Sequence, residues 1–75
     1  GVIKMRQFRS KNQKLVYDYY RQFIEANEYC PTLEEMENDE CMPLTTKTIR
    51  EHRQTLKEDG YLDFIAGASR GVTLL

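Results

Sequence analysis

The stretch YLDFIAGASRGVTLL, residues 61–75, constrains the fold more than any other part of this chain. Two short runs, Leu62 to Ile65 and Val72 to Leu75, flank the segment Gly67-Ala68-Ser69-Arg70-Gly71. β-Branched and aromatic residues suit a pleated, half-buried surface, and glycines at both ends of a tip allow positive φ at little cost. The pattern predicts a β-hairpin whose tip holds one cation, Arg70, out in solvent.

Ahead of the hairpin, apolar residues recur at helical spacing. Ser10 is a good N-cap, and Leu15, Val16, Tyr19, Tyr20, Phe23 and Ile24 then fall on one half of a helical wheel, with Lys14, Asp18, Arg21, Gln22 and Glu25 on the other. This amphipathic helix is expected to end near Asn27, before Cys30-Pro31. Its tyrosines coincide with the aliphatic face, which assigns them to the core rather than to base stacking. Thr32-Leu33-Glu34-Glu35 fits a capping box opening a short helix over roughly residues 33–39 that buries Leu33 and Met36. Asn38 to Leu44, with Pro43 inside it, reads as a connector.

Thr45 or Thr46 caps a third helix that runs to about Asp59, with Gly60 as its left-handed stop. Ile49 and Leu56 define its buried side, flanked by His52 and Arg53; His52 reads as a hydrogen-bonded core histidine. Lys47, Arg50, Glu51, Gln54, Lys57 and Glu58 cover the opposite side, a broad polar face rich in hydrogen-bond donors. Residues 1–9 read as an N-terminal arm or tail, with Val2 to Met5 a candidate short strand, and residues 10–75 as one domain.

Seventy-five residues suffice for a single small core, and there is neither a membrane-length apolar run nor a signal-peptide pattern. Cys30, Cys41 and His52 are spaced too widely for a zinc site. The cysteines read as ordinary reduced side chains, cytoplasm is the expected compartment, and no cofactor or metal is expected. No nucleophile elbow or phosphate-cradling loop is present, so the chain does not read as an enzyme. The net charge of −1 conceals a strong polarity. Residues 25–40 hold seven acids and no Lys or Arg, whereas the rest of the chain holds five acids and all eleven bases. Such segregation says more about partners than the total does.

A short helix, a turn and a longer helix with an exposed basic face make the helix-turn-helix layout, and a hairpin following directly adds a wing. The expected fold is α+β, a three-helix winged helix-turn-helix with a C-terminal β-hairpin wing. The chain resembles the N-terminal DNA-binding domain of LexA-type repressors, regulators of the bacterial DNA-damage response. The residues that carry the resemblance are SKNQKLVYDY after Arg9, the Pro31-Thr32 pair, EHRQTLKEDG ending at Gly60 and, above all, GASRGVTLL. The resemblance implies a bacterial or phage transcriptional repressor domain that binds double-stranded DNA. Its third helix enters the major groove through Thr45, Lys47, Thr48, Arg50 and Glu51, and its wing meets the backbone or minor groove through Ser69 and Arg70.

The chemistry of the residues leads the same way. Arg50 can meet guanine O6 and N7 bidentately, Lys47 can donate to the same atoms, and Glu51 can accept from a cytosine amino group or orient Arg50. Thr45 and Thr48 suit a phosphate or a thymine methyl. Gln54 shares the exposed face, and Lys11, Lys57 and Arg70 suit phosphates, which set register. One module presents few contacts, so a homodimer on paired half-sites is expected. The alternative reading is a winged helix that binds a basic protein partner through the acidic segment 34–40.

Overall fold

A computed structural model describes residues 7–68 and 70–75. Three helices precede a two-stranded antiparallel hairpin: α1 (Lys11–Asn27), α2 (Leu33–Glu37), α3 (Thr46–Glu58), β1 (Leu62–Phe64) and β2 (Val72–Leu74). The strand expected at Val2 to Met5 and the tip residue Ser69 lie outside the described residues. Among those described, no helix is long and apolar enough to cross a membrane.

The helix ends follow local capping chemistry. Ser10 Oγ accepts from the Gln13 N–H at 3.1 Å and opens α1. Glu28 closes it in the left-handed region at φ 65°, its N–H donating to Ile24 O at 2.8 Å. At α2 both halves of the capping box form: Thr32 Oγ1 accepts from the Glu35 N–H at 3.0 Å, and Glu35 Oε1 accepts from the Thr32 N–H at 2.9 Å. This helix stops at Glu37, short of the expected residue 39, because Asp39 turns its Oδ1 onto the Cys41 N–H at 2.8 Å and leads the chain into the connector. Thr45 caps α3, and Gly60 leaves it at φ +83°.

Helix α3 is the central strut of the core. Ile49 and Leu56 are wholly buried, and around them close Val16 and Tyr20 from α1, Met36 from α2, Met42 from the connector and Leu62 from β1. Full burial of each large aliphatic side chain stabilises the fold by about 1.5–3 kcal/mol. Phe23 belongs to the rim rather than the core; it is half-buried, stacks on Tyr19 at 6.2 Å and meets Tyr29 edge-on at 5.6 Å.

In the hairpin Leu62 pairs with Leu74, Asp63 with Thr73 and Phe64 with Val72. The period of two sends Leu62, Phe64, Val72 and Leu74 toward the helices. At the tip Ala68 N–H donates to Ile65 O at 3.1 Å, and Gly67 takes φ +84°. The two glycines act differently from the expectation: Gly71 does not take positive φ. A Cβ there would come within 2.9 Å of Ala68 Cβ and 3.2 Å of Ile65 Cβ, so close approach excludes a side chain.

The segment before α1 is docked at residues 8 and 9. Phe8 stacks on Tyr61 at 4.6 Å and contacts Tyr17 at 5.5 Å, and Tyr17 lies 5.4 Å from Tyr61. Such ring pairs contribute about 0.5–1.5 kcal/mol each beyond area burial. Arg9 reaches the far end of α3, where its Nε and Nη2 donate to Asp59 at 2.8 and 2.5 Å. Between them lies Gln13, 0% exposed, which accepts from the Arg9 N–H at 2.6 Å and donates to Thr55 Oγ1 and Asp59 Oδ2, each at 3.1 Å. A buried amide on the core face of α1 thereby ties the N-terminal segment to α3.

Candidate nucleic-acid interface

The N-terminal half of α3 is held by α2 and leaves its outer face bare. Glu37, the last residue of α2, accepts from the Thr46 N–H at 2.6 Å and also from the Thr46 hydroxyl. This carboxylate covers one of the N-terminal N–H groups of α3 that have no partner within the helix, and it sets how α3 leaves the turn. Thr45 Oγ1 accepts from the Thr48 N–H at 3.4 Å and lies 3.2 Å from Thr48 Oγ1, so the two threonines form one hydroxyl cluster at the helix start. Lys47, Arg50 and Glu51 are exposed. Among the described residues neither Lys47 nor Arg50 has an ion-pair partner.

Further along α3 the side chains are engaged. Gln54 donates to Glu58 at 3.3 Å, and Lys57 stands 3.5 Å from Asp63 and 4.7 Å above the Phe64 ring. Lys11, the first residue of α1, is close in sequence to Gln13, whose amide bonds Thr55 and Asp59. Lys11 itself is exposed. The ring of His52 is half-buried and makes no hydrogen bond among the described residues; its carbonyl accepts from the Thr55 hydroxyl at 2.9 Å.

The hairpin tip corrects the expectation of a free cation. Arg70 folds back onto α2: Nη1 donates to Glu35 Oε1 at 2.8 Å and to Cys30 O at 2.9 Å, while Nη2 donates to Glu35 Oε2 at 3.1 Å. The guanidinium also lies 4.7 Å above the Tyr29 ring. A planar fork matches a carboxylate bidentately and stacks on aromatic faces, which is why arginine closes this joint. The hydrogen bond from Arg70, helped by the Thr32 N–H, lowers the Glu35 carboxyl to about 2. Both side chains remain accessible, at 43 and 42% of their surface, so the joint is a surface clamp.

The acidic segment is only in part a solvated face. Glu35 holds Arg70, Glu37 holds Thr46, and Asp39 accepts from the Tyr19 hydroxyl at 2.7 Å and from the Cys41 N–H. Positions 35, 37 and 39 are bonded within the fold although Glu35 and Glu37 stay exposed, while Glu34 and Glu40 are exposed and have no ion-pair partner among the described residues.

Arg53, placed by the sequence on a flank of the buried stripe, is a further member of this surface. Its guanidinium lies 4.1 Å above the Phe64 ring, and its Nε is buried without a hydrogen-bond partner among the described residues. Arg50, Arg53 and Lys57 stand at i, i+3 and i+7 on the side of α3 that faces the hairpin, and Glu51 and Glu58 stand on the other side. That spacing was present in the sequence as a signal. Beside it lies an open groove of about 470 Å³. Leu33 and Glu34 form one wall, Arg50 and Arg53 another, and Phe64 and Gly67 the side toward the hairpin.

The family model of the LexA DNA binding domain matches residues 5–71, from before Phe8 through all three helices to Gly71 at the hairpin tip. The chain belongs to the LexA DNA-binding domain family. No curated protein matches the chain. The LexA-type domain is a non-catalytic, DNA-binding module of repressor type, so double-stranded DNA is its partner and transcription regulation its setting. Helices α2 and α3 are its helix-turn-helix and the β1–β2 hairpin its wing.

Proposed function

We propose that this LexA-type domain reads duplex DNA by sequence, with α3 in the major groove and the wing, residues 66–71, on the backbone or in the minor groove. One observation carries the reading: Lys47 and Arg50 are exposed and unpaired among the described residues, while Arg53, Gln54 and Lys57 on the same helix are engaged. Two long donors kept free of intramolecular partners suit base edges. Arg50 donates bidentately to guanine O6 and N7, and Lys47 donates alongside it. Thr45 and Thr48 meet a phosphate or a thymine methyl, and Glu51 accepts from cytosine or orients Arg50. Gln54, Lys57 and Lys11 track the backbone toward the C-terminal end of α3. Ser69 and Arg70 supply the wing contact, Arg70 from its clamped position with the Nε–H and the remaining Nη2 hydrogen. Two copies on paired half-sites give useful affinity.

Binding of a protein through the acidic segment is less well supported, because Glu35, Glu37 and Asp39 already have partners within the fold. Titration of the domain with random-sequence duplex at low and moderate salt separates the two readings. Amide shifts along residues 45–57 that fade as salt rises are expected. Unchanged spectra at low salt would overturn the DNA reading.

A further inference from the structure

We propose that the groove between α3 and the hairpin is a seat for a DNA backbone phosphate, with Arg53 as its deepest contact and Phe64 as the residue that aims Arg53. The inference rests on the duplex-binding reading and extends it to a residue on the flank of the buried stripe. Three observations converge. The groove has room for a phosphodiester group, at about 470 Å³, and is walled by the adjacent cations Arg50 and Arg53. The Arg53 guanidinium is fixed 4.1 Å above the Phe64 ring, a packing that leaves its hydrogen-bond donors without a carboxylate. Its Nε is buried close to the neutral Tyr20 hydroxyl, and no carboxylate pairs with the guanidinium among the described residues, so its charge has no anionic partner.

The neighbouring groups are consistent with an anion that belongs to the ligand. The Tyr20 hydroxyl is buried, and burial pushes it up to about 12 against the opposing charge and close approach of Arg53. It stays neutral and leaves the arginine charge unneutralised. Glu34 lines the groove but makes no ion pair with either arginine among the described residues. It repels a phosphate and limits how tightly the groove holds one. Gly67 at the hairpin side offers a backbone without a side chain, with nothing within 4 Å of where a Cβ would stand. With α3 in the major groove, a strand leaving that groove passes between Arg50 and the wing, where this seat lies.

The test is a set of four variants, with Arg50→Ala as a control, titrated with one selected duplex and with random duplex over a range of salt. Arg53→Met keeps the packed stem and removes the charge; severalfold weaker binding to both duplexes is expected, with the slope of log K against log salt reduced by about one. Arg53→Lys should restore most of that slope. Phe64→Leu should keep the slope and lose affinity, because the charge stays but is no longer aimed. Glu34→Gln should strengthen binding to both duplexes. A scan of single neutral methylphosphonate linkages should then find one position that weakens the wild-type domain and leaves Arg53→Met unaffected. Wild-type affinity and slope in Arg53→Met, with base preference still lost in Arg50→Ala, would overturn the groove and leave the duplex reading standing. Altered base preference in Arg53→Met at unchanged slope would equally overturn it. Failure of the wild-type domain to bind any duplex would remove both.

Discussion

Arg70 in the wing and Glu35 in α2 form a two-point clamp, with Nη1–Oε1 and Nη2–Oε2 distances of 2.8 and 3.1 Å, and the same Glu35 carboxylate closes the capping box on Thr32. One acid thus holds both the start of α2 and the tip of the hairpin. The wing is positioned by the helix-turn-helix itself.

The clamp makes stability depend on acid. Arg70 and the Thr32 N–H lower the folded Glu35 carboxyl from 4.5 to about 2. A depressed carboxyl contributes stability above its unfolded value and loses it as pH falls through the folded one. The melting temperature is therefore expected to drop between about pH 5 and pH 2. Glu35→Gln should lower it at neutral pH and flatten part of that limb. The remaining slope belongs to Glu37, Asp39 and Asp59, which are lowered by Thr46, Tyr19 and Arg9 respectively. Calorimetry across this range checks it, and an unchanged acid limb in Glu35→Gln would contradict the clamp.

Charge and fork geometry at Arg70 separate experimentally. Arg70→Ala is expected to lower the salt slope of duplex binding by about one, and Arg70→Lys to keep the slope while hairpin amides exchange faster. Exchange rates that stay the same in both variants would show that the fork does not hold the wing.

Gln13 is the polar residue on which the N-terminal segment depends. Gln13→Ala leaves the Arg9 N–H and the Thr55 hydroxyl without the amide, and a loss of about 1–3 kcal/mol is expected in urea denaturation. Phe8 and Arg9 should loosen together, visible as loss of protection at residues 7–10.

Glu28 holds a left-handed conformation that glycine adopts without a Cβ penalty. Glu28→Gly is expected to stabilise the domain by a few tenths of a kcal/mol to about 1 kcal/mol, after the extra chain entropy of glycine is offset. Equilibrium unfolding measures the sign.

What the sequence made legible was chemistry local to a few residues. Ser10, Thr32, Thr45 and Gly60 mark helix ends through bonds that reach three or four positions, so their roles show in the order of residues alone. Ile49 and Leu56 likewise announce a buried stripe by their spacing. The clamp was hidden because Glu35 and Arg70 are distant in sequence, and each has a sufficient local explanation: a capping carboxylate and a turn cation. Gln13 was hidden because an amide on an apolar face gives no periodic signal. Its partners Thr55 and Asp59 come from a helix that only the fold brings near. Arg53 was read as the edge of a stripe because the ring that organises it, Phe64, is supplied by the hairpin.

The central claim is that α3 reads bases with the cations left bare on its outer face. Selection of bound sites from a randomised duplex library, run in parallel with the wild-type domain and Arg50→Ala, tests it most directly. The wild type should enrich one motif, and Arg50→Ala should lose preference at one G·C pair, worth about 1–3 kcal/mol of discrimination, while the rest of the motif persists. No enriched motif in the wild type, or uniform weakening across all positions in Arg50→Ala, would contradict the account.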